Sequence, residues 1–222
     1  QAAAAFQAMR ERIQRQIAQR TAMLSGVSHD LRTPLARMKL QLEMLAPSEG
    51  VAELKTDVAE MERMLEEYLA FARGEGTEAP APLDLGLLLE DAAQAARREG
   101  RPVIVRTEGD LVIPVKSSAI RRAVANVMAN ALRHGHKVEA VARRADDWIE
   151  ITVDDDGPGV PPESREDVFR PFYRLDPSRN PETGGVGLGL AIVRDILRGH
   201  GGDATLEGSP LGGARARLRL PV

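Results

Sequence analysis

The chain has 222 residues, of which 43% are hydrophobic and 28% charged, and its formal net charge is −3. This composition is typical of a folded globular protein, and the length allows one large domain or two small ones. The slightly acidic balance argues against a nucleic-acid-binding surface, the lack of cysteine excludes a disulfide framework, and no apolar run reaches the roughly 18 residues of a membrane span.

The first 20 residues have a helical pattern and do not begin with methionine. We therefore expect that a preceding part of the parent protein is missing from this sequence. From Ile17 onwards, apolar residues recur every seven positions, and a second row of apolar residues occupies intermediate positions. The first row is Ile17, Leu24, Leu31, Met38 and Leu45, and the second is Ile13, Val27, Leu35 and Leu42. This pattern predicts a helical bundle or a coiled coil.

Residues 46–50 have the composition of a turn, and a second amphipathic pattern runs from Val51 to Ala72. A short connection between two long helices predicts an antiparallel hairpin. Because two helices cannot cover both apolar rows, we expect the hairpin to dimerise into a four-helix bundle with two-fold symmetry.

His29 is followed at once by Asp30, with Thr33 and Pro34 four and five residues further on. The seven-residue repeat places His29 at the outermost position of the first helix, which argues against a role in the core. Pro34 removes a backbone hydrogen bond at a cost of roughly 3 kcal/mol and predicts a kink beside His29. A solvated histidine is the alternative, but strain beside an exposed histidine favours a functional site. We predict that His29 accepts a phosphate.

A Gly- and Pro-rich stretch at 74–82 predicts a linker between all-helical and mixed sequence. After it, Asp84 is expected to cap a helix that ends near Gly100. Several antiparallel strands with about three helices on one face then predict an α+β sandwich. Its elements are a hairpin of Arg101–Thr107 and Leu111–Val115, a helix from Ser117 or Ser118 to about Arg133, a hairpin of Lys137–Arg143 and Trp148–Val153, a long loop at Phe169–Gly185, a helix at Leu188–Arg198, and closing strands at Asp203–Glu207 and Ala214–Leu220.

Asp155 follows a predicted strand and precedes Gly157 and Gly159. Such glycines allow a backbone to approach a flat ligand, and a carboxylate there can accept a hydrogen bond from an exocyclic amine. A plain surface turn is the alternative for these residue types. A calcium loop is excluded, because Pro158 and Arg165 stand where oxygen ligands are required.

A second glycine motif, with Gly185, Gly187 and Gly189 at alternate positions, opens a predicted helix. Backbone N–H groups at a helix N-terminus favour an anion, so this motif predicts phosphate binding. Leu190 stands where a dinucleotide fingerprint needs its last glycine, and no Gly-Lys-Ser/Thr follows as in a Walker loop.

Asn126 and Asn130 are four residues apart and share one face of a predicted helix. An amide oxygen is a suitable ligand for Mg²⁺ when waters and phosphates complete its coordination, although simple surface exposure is the alternative. Arg133 and His134 lie about one turn further on and could add a phosphate contact.

Five segments, in this order, together resemble the sensor histidine kinases of two-component systems. The resemblance is to the H box (residues 29–34), the N box (126–134), the G1 box (155–159), the F box (169–172) and the G2 box (185–189). Val27–Leu35 is similar to the EnvZ-type osmosensor kinases. The resemblance divides the chain into the end of a HAMP-like linker helix (1–20), a dimerisation and histidine-phosphotransfer domain (21–74), a linker (75–82) and a GHKL-type catalytic ATP-binding domain (83–222).

The resemblance implies that His29 takes the γ-phosphate of ATP, with Asp30 as the base that orients or deprotonates the imidazole. Thr33 matches a hydroxyl that positions water when such kinases dephosphorylate their regulator. Asn130 would hold Mg²⁺ and Asp155 would contact the adenine amine. The full set of positions implied to bind ATP is Asn126, Asn130, Arg133, His134, Asp155, Gly157, Gly159, Phe172, Arg174, Gly185, Gly187, Leu188 and Gly189.

The implied partners are a second copy of the chain and the receiver domain of a response regulator, near exposed residues such as Arg32 and Arg37. Nucleic acid is not expected as a partner. The implied location is the cytoplasmic part of a bacterial inner-membrane protein, which would reach the membrane only through upstream segments.

Two rival functions are a nucleotide-hydrolysing ATPase and a non-catalytic scaffold. Hydrolysing relatives have a glutamate four residues before the metal-binding Asn, where this chain has Asn126. An amide cannot act as a base, which favours phosphate transfer, and no motif is visibly broken, which argues against a scaffold.

Overall fold

The computed structural model describes residues 7, 9, 12, 30–46, 48–72, 78–175 and 187–222. These residues form two compact units, one ending at residue 72 and one comprising 78–175 and 187–222. Within them, no helix combines the length and apolar character that a membrane crossing requires. Several predicted features lie outside the described residues: His29, Gly185, the start of the two apolar rows, most of residues 1–20, and residues 176–185 of the predicted loop.

The first unit is the predicted helical hairpin. Helix α1 covers residues 30–43 of the described chain and continues on both sides of Pro34, and helix α2 spans Glu49–Ala72. The predicted turn reached Gly50, but α2 already begins at Glu49. The Ser48 hydroxyl accepts a hydrogen bond from the Val51 N–H at 3.3 Å and caps the helix, which begins two residues earlier than composition indicated.

The hairpin is held by its second apolar row. Leu35 and Leu42 of α1 are buried against Val58 and the half-buried Leu65 of α2. Two ion pairs, Lys39–Glu62 at 3.0 Å and Lys55–Glu43 at 2.9 Å, flank this core. In the two ion pairs, the later residue on α1 meets the earlier residue on α2, which is the register of antiparallel helices.

The second unit is an α/β sandwich, so the predicted α+β class is confirmed. Its strands are β1 (Ala81–Asp84), β2 (Val103–Glu108), β3 (Val112–Val115), β4 (Val138–Ala145), β5 (Trp148–Asp155), β6 (Asp203–Gly208) and β7 (Ala214–Pro221), and its helices are α3 (Leu85–Arg98), α4 (Ser117–His134) and α5 (Gly189–Gly199). Two 3₁₀ turns lie at Pro162–Ser164 and Asp167–Phe169. As predicted, Asp84 caps α3 by accepting from the N–H groups of Gly86 and Leu87.

The main sheet has the order β2-β4-β5-β7-β6, and the three helices cover one of its faces. The predicted hairpin of β4 and β5 is confirmed, with Ala145 opposite Trp148 at its turn. The core between sheet and helices consists of aliphatic side chains, including Leu89, Ile120, Ile149, Ile151 and Leu197. The core therefore rests on aliphatic residues, as the low aromatic content of 3% predicted.

The predicted hairpin of β2 and β3 is wrong. Strand β2 pairs in parallel with β4, so that Val103 lies opposite Val138, and the main sheet is mixed rather than antiparallel. Strand β3 pairs antiparallel with β1 in a separate two-stranded sheet, with Ala81 opposite Val115. The two prolines beside and within β1 hid this strand, because proline is a poor indicator of a strand interior. Because β1 was not predicted as a strand, β3 was assigned to its neighbour in sequence, β2.

Residues 78–82, predicted as linker, lie with the second unit. Ala81 and Pro82 are paired in β1, and the Glu78 carboxylate accepts hydrogen bonds from the backbone N–H and hydroxyl of Ser118. The Ser118 hydroxyl is the main reason that the pKa of Glu78 lies below its ordinary value. A side chain from before the first strand therefore supplies the N-terminal cap of α4.

Charged pairs cover the face of the sheet that the helices leave open. Glu150, in the central strand β5, is buried between Arg143 of β4 and Arg217 of β7, each 2.7 Å away. Four residues further along β5, the buried carboxylate of Asp154 pairs with Arg215 through bonds of 2.8 and 2.9 Å. Cross-strand neighbours thus neutralise the acids of the central strand.

We expect Glu150→Gln to lower the free energy of unfolding by about 1–3 kcal/mol at pH 7, because two guanidinium groups lose a shared carboxylate. Burial acts to raise the pKa of Glu150, but Arg143 and Arg217 outweigh it and hold the pKa below the ordinary 4.5. Stability from this carboxylate is therefore present above about pH 4.5 and is lost as the pH falls through the folded-state pKa. The gap between variant and wild type should narrow on acidification.

Urea unfolding followed by the fluorescence of Trp148, the only tryptophan, measures this gap. Glu139→Gln is the matched control, because its pair with the exposed Arg106 at 2.9 Å should contribute less than about 1 kcal/mol. The role of Glu150 would be contradicted if the stability difference between Glu150→Gln and wild type widened towards acid pH, or if Glu139→Gln lost as much free energy of unfolding.

Candidate functional site

Asp155 occupies the end of the central strand and is 4% exposed. Its Oδ1 accepts hydrogen bonds from the N–H of Gly157 at 2.9 Å and of Ala214 at 3.1 Å, and its backbone carbonyl accepts from the N–H of Gly213. A buried carboxylate needs such partners, because burial without them is costly. Both of these side-chain bonds use Oδ1, so Oδ2 is the oxygen that can accept a hydrogen bond from a ligand.

Glycines enclose Asp155 on several sides. A Cβ added to Gly213 would lie 2.2 Å from Asp155 Oδ1, and one added to Gly157 would lie 2.6 Å from the carbonyl oxygen of His134. One added to Gly135 would lie 2.8 Å from the Cβ of Asp155. These distances leave no room for a side chain, so the site is formed by backbone packed against backbone. Of these three glycines, only Gly157 was predicted.

The C-terminal end of α4 is fixed next to Asp155. The Asp156 Oδ1 accepts from the N–H groups of His136 at 2.6 Å and Lys137 at 2.8 Å, and these bonds, that of Lys137 first, hold the pKa of Asp156 below its ordinary value. The guanidinium of Arg101 donates to the carbonyls of Leu132 and Gly135. These contacts satisfy the Leu132 carbonyl, which the helix end leaves unpaired, and three backbone groups of the residues just after the helix.

The other end of α4 is joined to α5 through His200. Its Nε2 accepts a hydrogen bond from the Lys116 N–H at 3.2 Å, and its Nδ1 lies 2.7 Å from the Ile196 carbonyl. This pattern requires the neutral tautomer with the proton on Nδ1. Together with the Glu78 cap, it fixes the start of α4.

Asn126 and Asn130 lie along the half-buried face of α4. Asn126 faces the start of α5, where its Nδ2 donates to the Gly189 carbonyl at 3.4 Å. The described residues contain no cluster of three or more His, Cys, Asp or Glu that could hold a metal by itself. Neutral amide oxygens at this helix face therefore fit Mg²⁺ only where phosphates and waters supply most of its ligands, as Mg²⁺ usually requires.

Arg133 and His134 are exposed in the last turn of α4. The imidazole of His134 nevertheless loses part of its hydration at this position, and this desolvation, followed by the charge of Arg133, lowers its pKa below the ordinary 6.5, although Asp155 acts in the opposite direction. His134 is therefore neutral at pH 7 and offers an aromatic ring and hydrogen bonds rather than a positive charge. Arg133 keeps its charge at this pH.

The glycine motif before α5 is packed against the segment that contains Phe172. Gly187 has a φ of 75°, and a Cβ there would lie 2.7 Å from the Tyr173 carbonyl oxygen. The Gly187 carbonyl accepts a hydrogen bond of 3.0 Å from the Phe172 N–H, and Phe172 itself has a φ of 65°. Gly187 is thus required by the close contact of two backbone segments as well as by any ligand.

The predicted ATP-binding positions that the structure describes fall into two groups. Asn126, Phe172, Gly187 and Gly189 lie around the start of α5, and Leu188 beside them is fully buried, so only its backbone could contact a ligand. His134, Asp155, Gly157 and Gly159 lie at the C-terminal end of α4. Asn126 and His134 are eight residues apart, or about 12 Å along the helix. Arg174 is exposed in the segment after Phe172.

In the first unit, Asp30 and Thr33 are exposed on α1. His29, which was predicted to accept the phosphate, directly precedes α1 in sequence and lies outside the described residues.

Sequence reasoning missed Gly135, Gly213, Asp156 and Arg101. A glycine directly after a helix and a glycine pair before the last strand were the only signals for the first two.

Two family models match the chain. One is described as the His Kinase A (phospho-acceptor) domain and matches residues 19–77. The other is described as the Histidine kinase-, DNA gyrase B-, and HSP90-like ATPase and matches residues 115–222. The first includes His29, Asp30 and Thr33, and the second includes α4, Asp155 and α5.

Among similar proteins is the sensor histidine kinase CpxA of Escherichia coli (strain K12), which is 36% identical over 100% of this chain and 51% of its own length. Sensor protein RstB of the same strain is 36% identical over 98% of this chain and 52% of its own. The chain therefore spans about half the length of the curated relatives it matches.

Solved structures agree with these relatives. The ATP binding domain of PrrB from Mycobacterium tuberculosis is 37% identical over 65% of this chain and 98% of its own, with a TM-score of 0.54. Full-length ShkA in complex with AMPPNP is 25% identical over 90% of this chain and 45% of its own, with a TM-score of 0.72. The helical hairpin, the sandwich, the motifs and the relatives all indicate the same family. The chain belongs to the sensor histidine kinases, with a phospho-acceptor domain followed by an ATPase-type domain.

Proposed function

We propose that this chain is the cytoplasmic kinase part of a membrane-bound sensor, and that it moves the γ-phosphoryl group of ATP to a ring nitrogen of His29, leaving ADP. The observation that carries the proposal is the two-ended site along α4. A buried carboxylate with one oxygen for a ligand lies at the C-terminal end of α4, and a helix N-terminus that opens in glycines lies beside Asn126, about two turns earlier on α4. An exocyclic amine suits the first and phosphates suit the second.

Asp155 is proposed to accept from the adenine amine, with the neutral ring of His134 beside it. The phosphates are proposed to lie at Gly185–Gly189, with Arg133 and Arg174 as basic contacts. Asn130, supported by Asn126, would hold Mg²⁺, which neutralises charge on the phosphates during transfer. Asp30 is proposed to orient the imidazole of His29 or to take its proton.

Transfer is favoured over hydrolysis by the chemistry of Asn126. Its amide donates to the Gly189 carbonyl and has no basic group with which to activate water. Phosphoryl transfer depends mainly on positioning and on charge stabilisation, so a site without a base is suited to delivery onto a side chain.

Incubation with γ-labelled ATP and Mg²⁺ tests the proposal. We expect the wild type to acquire label that is acid-labile and base-stable, as phosphohistidine is, and His29→Gln to acquire none. His136→Gln, which changes an exposed histidine of the second unit, is the matched control and should keep the label. Label that persists in His29→Gln, or steady release of phosphate without labelled protein, would refute the proposal.

The metal is tested in the same assay. Chelation of Mg²⁺ should abolish labelling, and Asn130→Asp should reduce it at least about tenfold, an effect of about 1.4 kcal/mol, with little change in thermal unfolding. Equal labelling by Asn130→Asp would count against its role as a ligand.

We further propose that the phosphate passes from His29 to an aspartate of a receiver domain, and that the chain can also reverse this step. Thr33 lies one turn after His29 in sequence and is exposed on α1. Leu40 on the same helix is 67% exposed, and Arg32 and Arg37 are also exposed, so a partner can reach this part of the helix. The Thr33 hydroxyl would position the water that removes the phosphate from the receiver.

We expect Thr33→Ala to retain autophosphorylation and transfer to the receiver but to lose dephosphorylation of the phosphorylated receiver. Thr33→Ser, which keeps the hydroxyl, should retain it and serves as the control. Loss of the phosphoreceiver over time measures the reaction, and equal rates for Thr33→Ala and wild type would remove Thr33 from the mechanism.

The first apolar row of the hairpin supports a homodimer. Leu31 and Met38 on α1, Leu45 two residues after it, and Leu54 and Met61 on α2 are each 42–54% exposed within one chain. The spacing of seven places each set in a line along its helix. A second copy would bury both lines, giving the four-helix bundle predicted from the sequence.

We expect Met38→Glu to weaken the dimer at least about tenfold, because it places a charge in the buried line. Leu40→Glu, on an exposed position outside that line, should leave the dimer unchanged. Sedimentation equilibrium at several concentrations measures both. A monomeric wild type, or a dimer indifferent to Met38→Glu, would contradict the proposed interface.

A further inference from the structure

Arg194 lies in the second turn of α5 and joins three parts of the second unit. Its Nη1 is 2.5 Å from Glu166 Oε1, and its Nε is 3.0 Å from Asp203 Oδ1 at the start of β6. Its guanidinium carbon is 4.6 Å from the ring centroid of Phe169. Glu166 and Phe169 belong to the segment that leads directly to Phe172.

This arrangement differs from an ordinary surface ion pair. The side chain of Arg194 is only 12% exposed, and Phe169 is 7% exposed. Exposed pairs contribute little, but a guanidinium that is largely desolvated, stacked on a ring and bonded to two carboxylates is held in one position. Burial acts to lower the pKa of Arg194, yet the bonds to Glu166 and Asp203 raise it above its ordinary value, so the charge persists.

The same segment meets α5 at a second point. The Phe172 N–H donates to the Gly187 carbonyl at 3.0 Å, and Gly187 is packed against Tyr173. Arg194 therefore anchors the segment to the body of α5, while Gly187 meets it just before α5 begins. A shift of the segment away from Arg194 would pull on Gly187, because its hydrogen bond and its close contact are both with Phe172 and Tyr173.

We propose that Arg194 is a positioning residue, which holds the segment 166–172 against α5 and thereby fixes the backbone of Gly187–Gly189 in the geometry that binds the phosphates of ATP. The inference rests on the proposed ATP-dependent function. Arg194 itself need not touch the nucleotide. Its effect would reach the ligand through the backbone contact between Phe172 and Gly187.

Equilibrium binding of a non-hydrolysable ATP analogue, with thermal unfolding in parallel, tests this role. We expect Arg194→Met and Glu166→Gln each to weaken analogue binding at least about fivefold. The double variant should bind the analogue no more weakly than the single variant with the lower affinity, because the two side chains act through one contact. In the kinase assay, the KM for ATP should rise by a larger factor than kcat falls. Arg194→Lys, which keeps the charge but lacks the planar fork, should recover part of the affinity.

Arg198 provides the matched control. It lies one turn further along α5 and bonds Asp203 at 3.2 Å from a position that is 58% exposed. Arg198→Met removes a partner of Asp203 but leaves the contact with Glu166, and should bind the analogue within about twofold of wild type. Equal losses in Arg194→Met and Arg198→Met would show a general effect on α5 and would overturn the proposal.

Glu166→Gln keeps the test valid if Arg194→Met does not fold. The Glu166 side chain is 76% exposed, so its neutralisation should change the unfolding temperature little. Unchanged analogue binding by folded Glu166→Gln would overturn the proposal while wild-type binding still supports the proposed function. A wild type that binds no analogue would remove both.

Discussion

The second unit depends on a carboxylate that is buried inside it. Asp155 can remain in place only if the polar groups around it satisfy its oxygens, and backbone N–H groups after β5 and at the start of β7 do so. The backbone can approach a carboxylate this closely only where residues have no side chain, and this explains why positions 157 and 213 are glycines. The sheet order, with β5 beside β7, brings these segments together. The site is thus fixed by the topology of the sheet.

Both faces of the central strand are buried, and each is stabilised differently. Towards the helices, Ile149, Ile151 and Val153 contribute apolar surface. On the opposite face, Glu150 and Asp154 are shielded by arginines from the neighbouring strands, and Arg217 also bonds Glu207 of β6 at 3.0 Å. An acid buried without such partners would be strongly destabilising, so this face requires the charges as a network. The aliphatic stems of the arginines also cover apolar surface, which suits a chain poor in aromatic residues.

Local signals in the sequence predicted local structure well. The cap at Asp84, the end of α3 near Gly100, the hairpin of β4 and β5, and both long helices of the first unit depend on residues close together in the chain. The five motifs, in their order along the chain, identified the family because each motif is also local. No local signal identifies a strand or residue that makes contact from a remote position in the sequence. The parallel pairing of β2 with β4, and the pairing of β1 with β3, could not be read from either strand alone.

The same distinction separates the site residues that were predicted from those that were missed. Asp155 and Gly157 are two residues apart, whereas Gly213 meets Asp155 from 58 residues away, and only the sheet register brings them into contact. Arg194 likewise carries no local signal in the sequence, because its role depends on contacts with Glu166, 28 residues before it.

The two helices that carry the site are each fixed at both ends by residues from elsewhere in the chain. For α4 these are Glu78 at its start and Arg101 and Asp156 at its end, and His200 connects the start of α4 to the end of α5. At the start of α5, Gly187 and Arg194 hold the segment that contains Phe172. Most of these contacts are hydrogen bonds to helix termini, where the backbone otherwise lacks partners. They therefore stabilise the helices and fix their positions at once, and a ligand meets a site whose backbone is already arranged. Preorganisation of this kind reduces the entropy lost on binding and keeps donors aimed where charge develops during phosphoryl transfer.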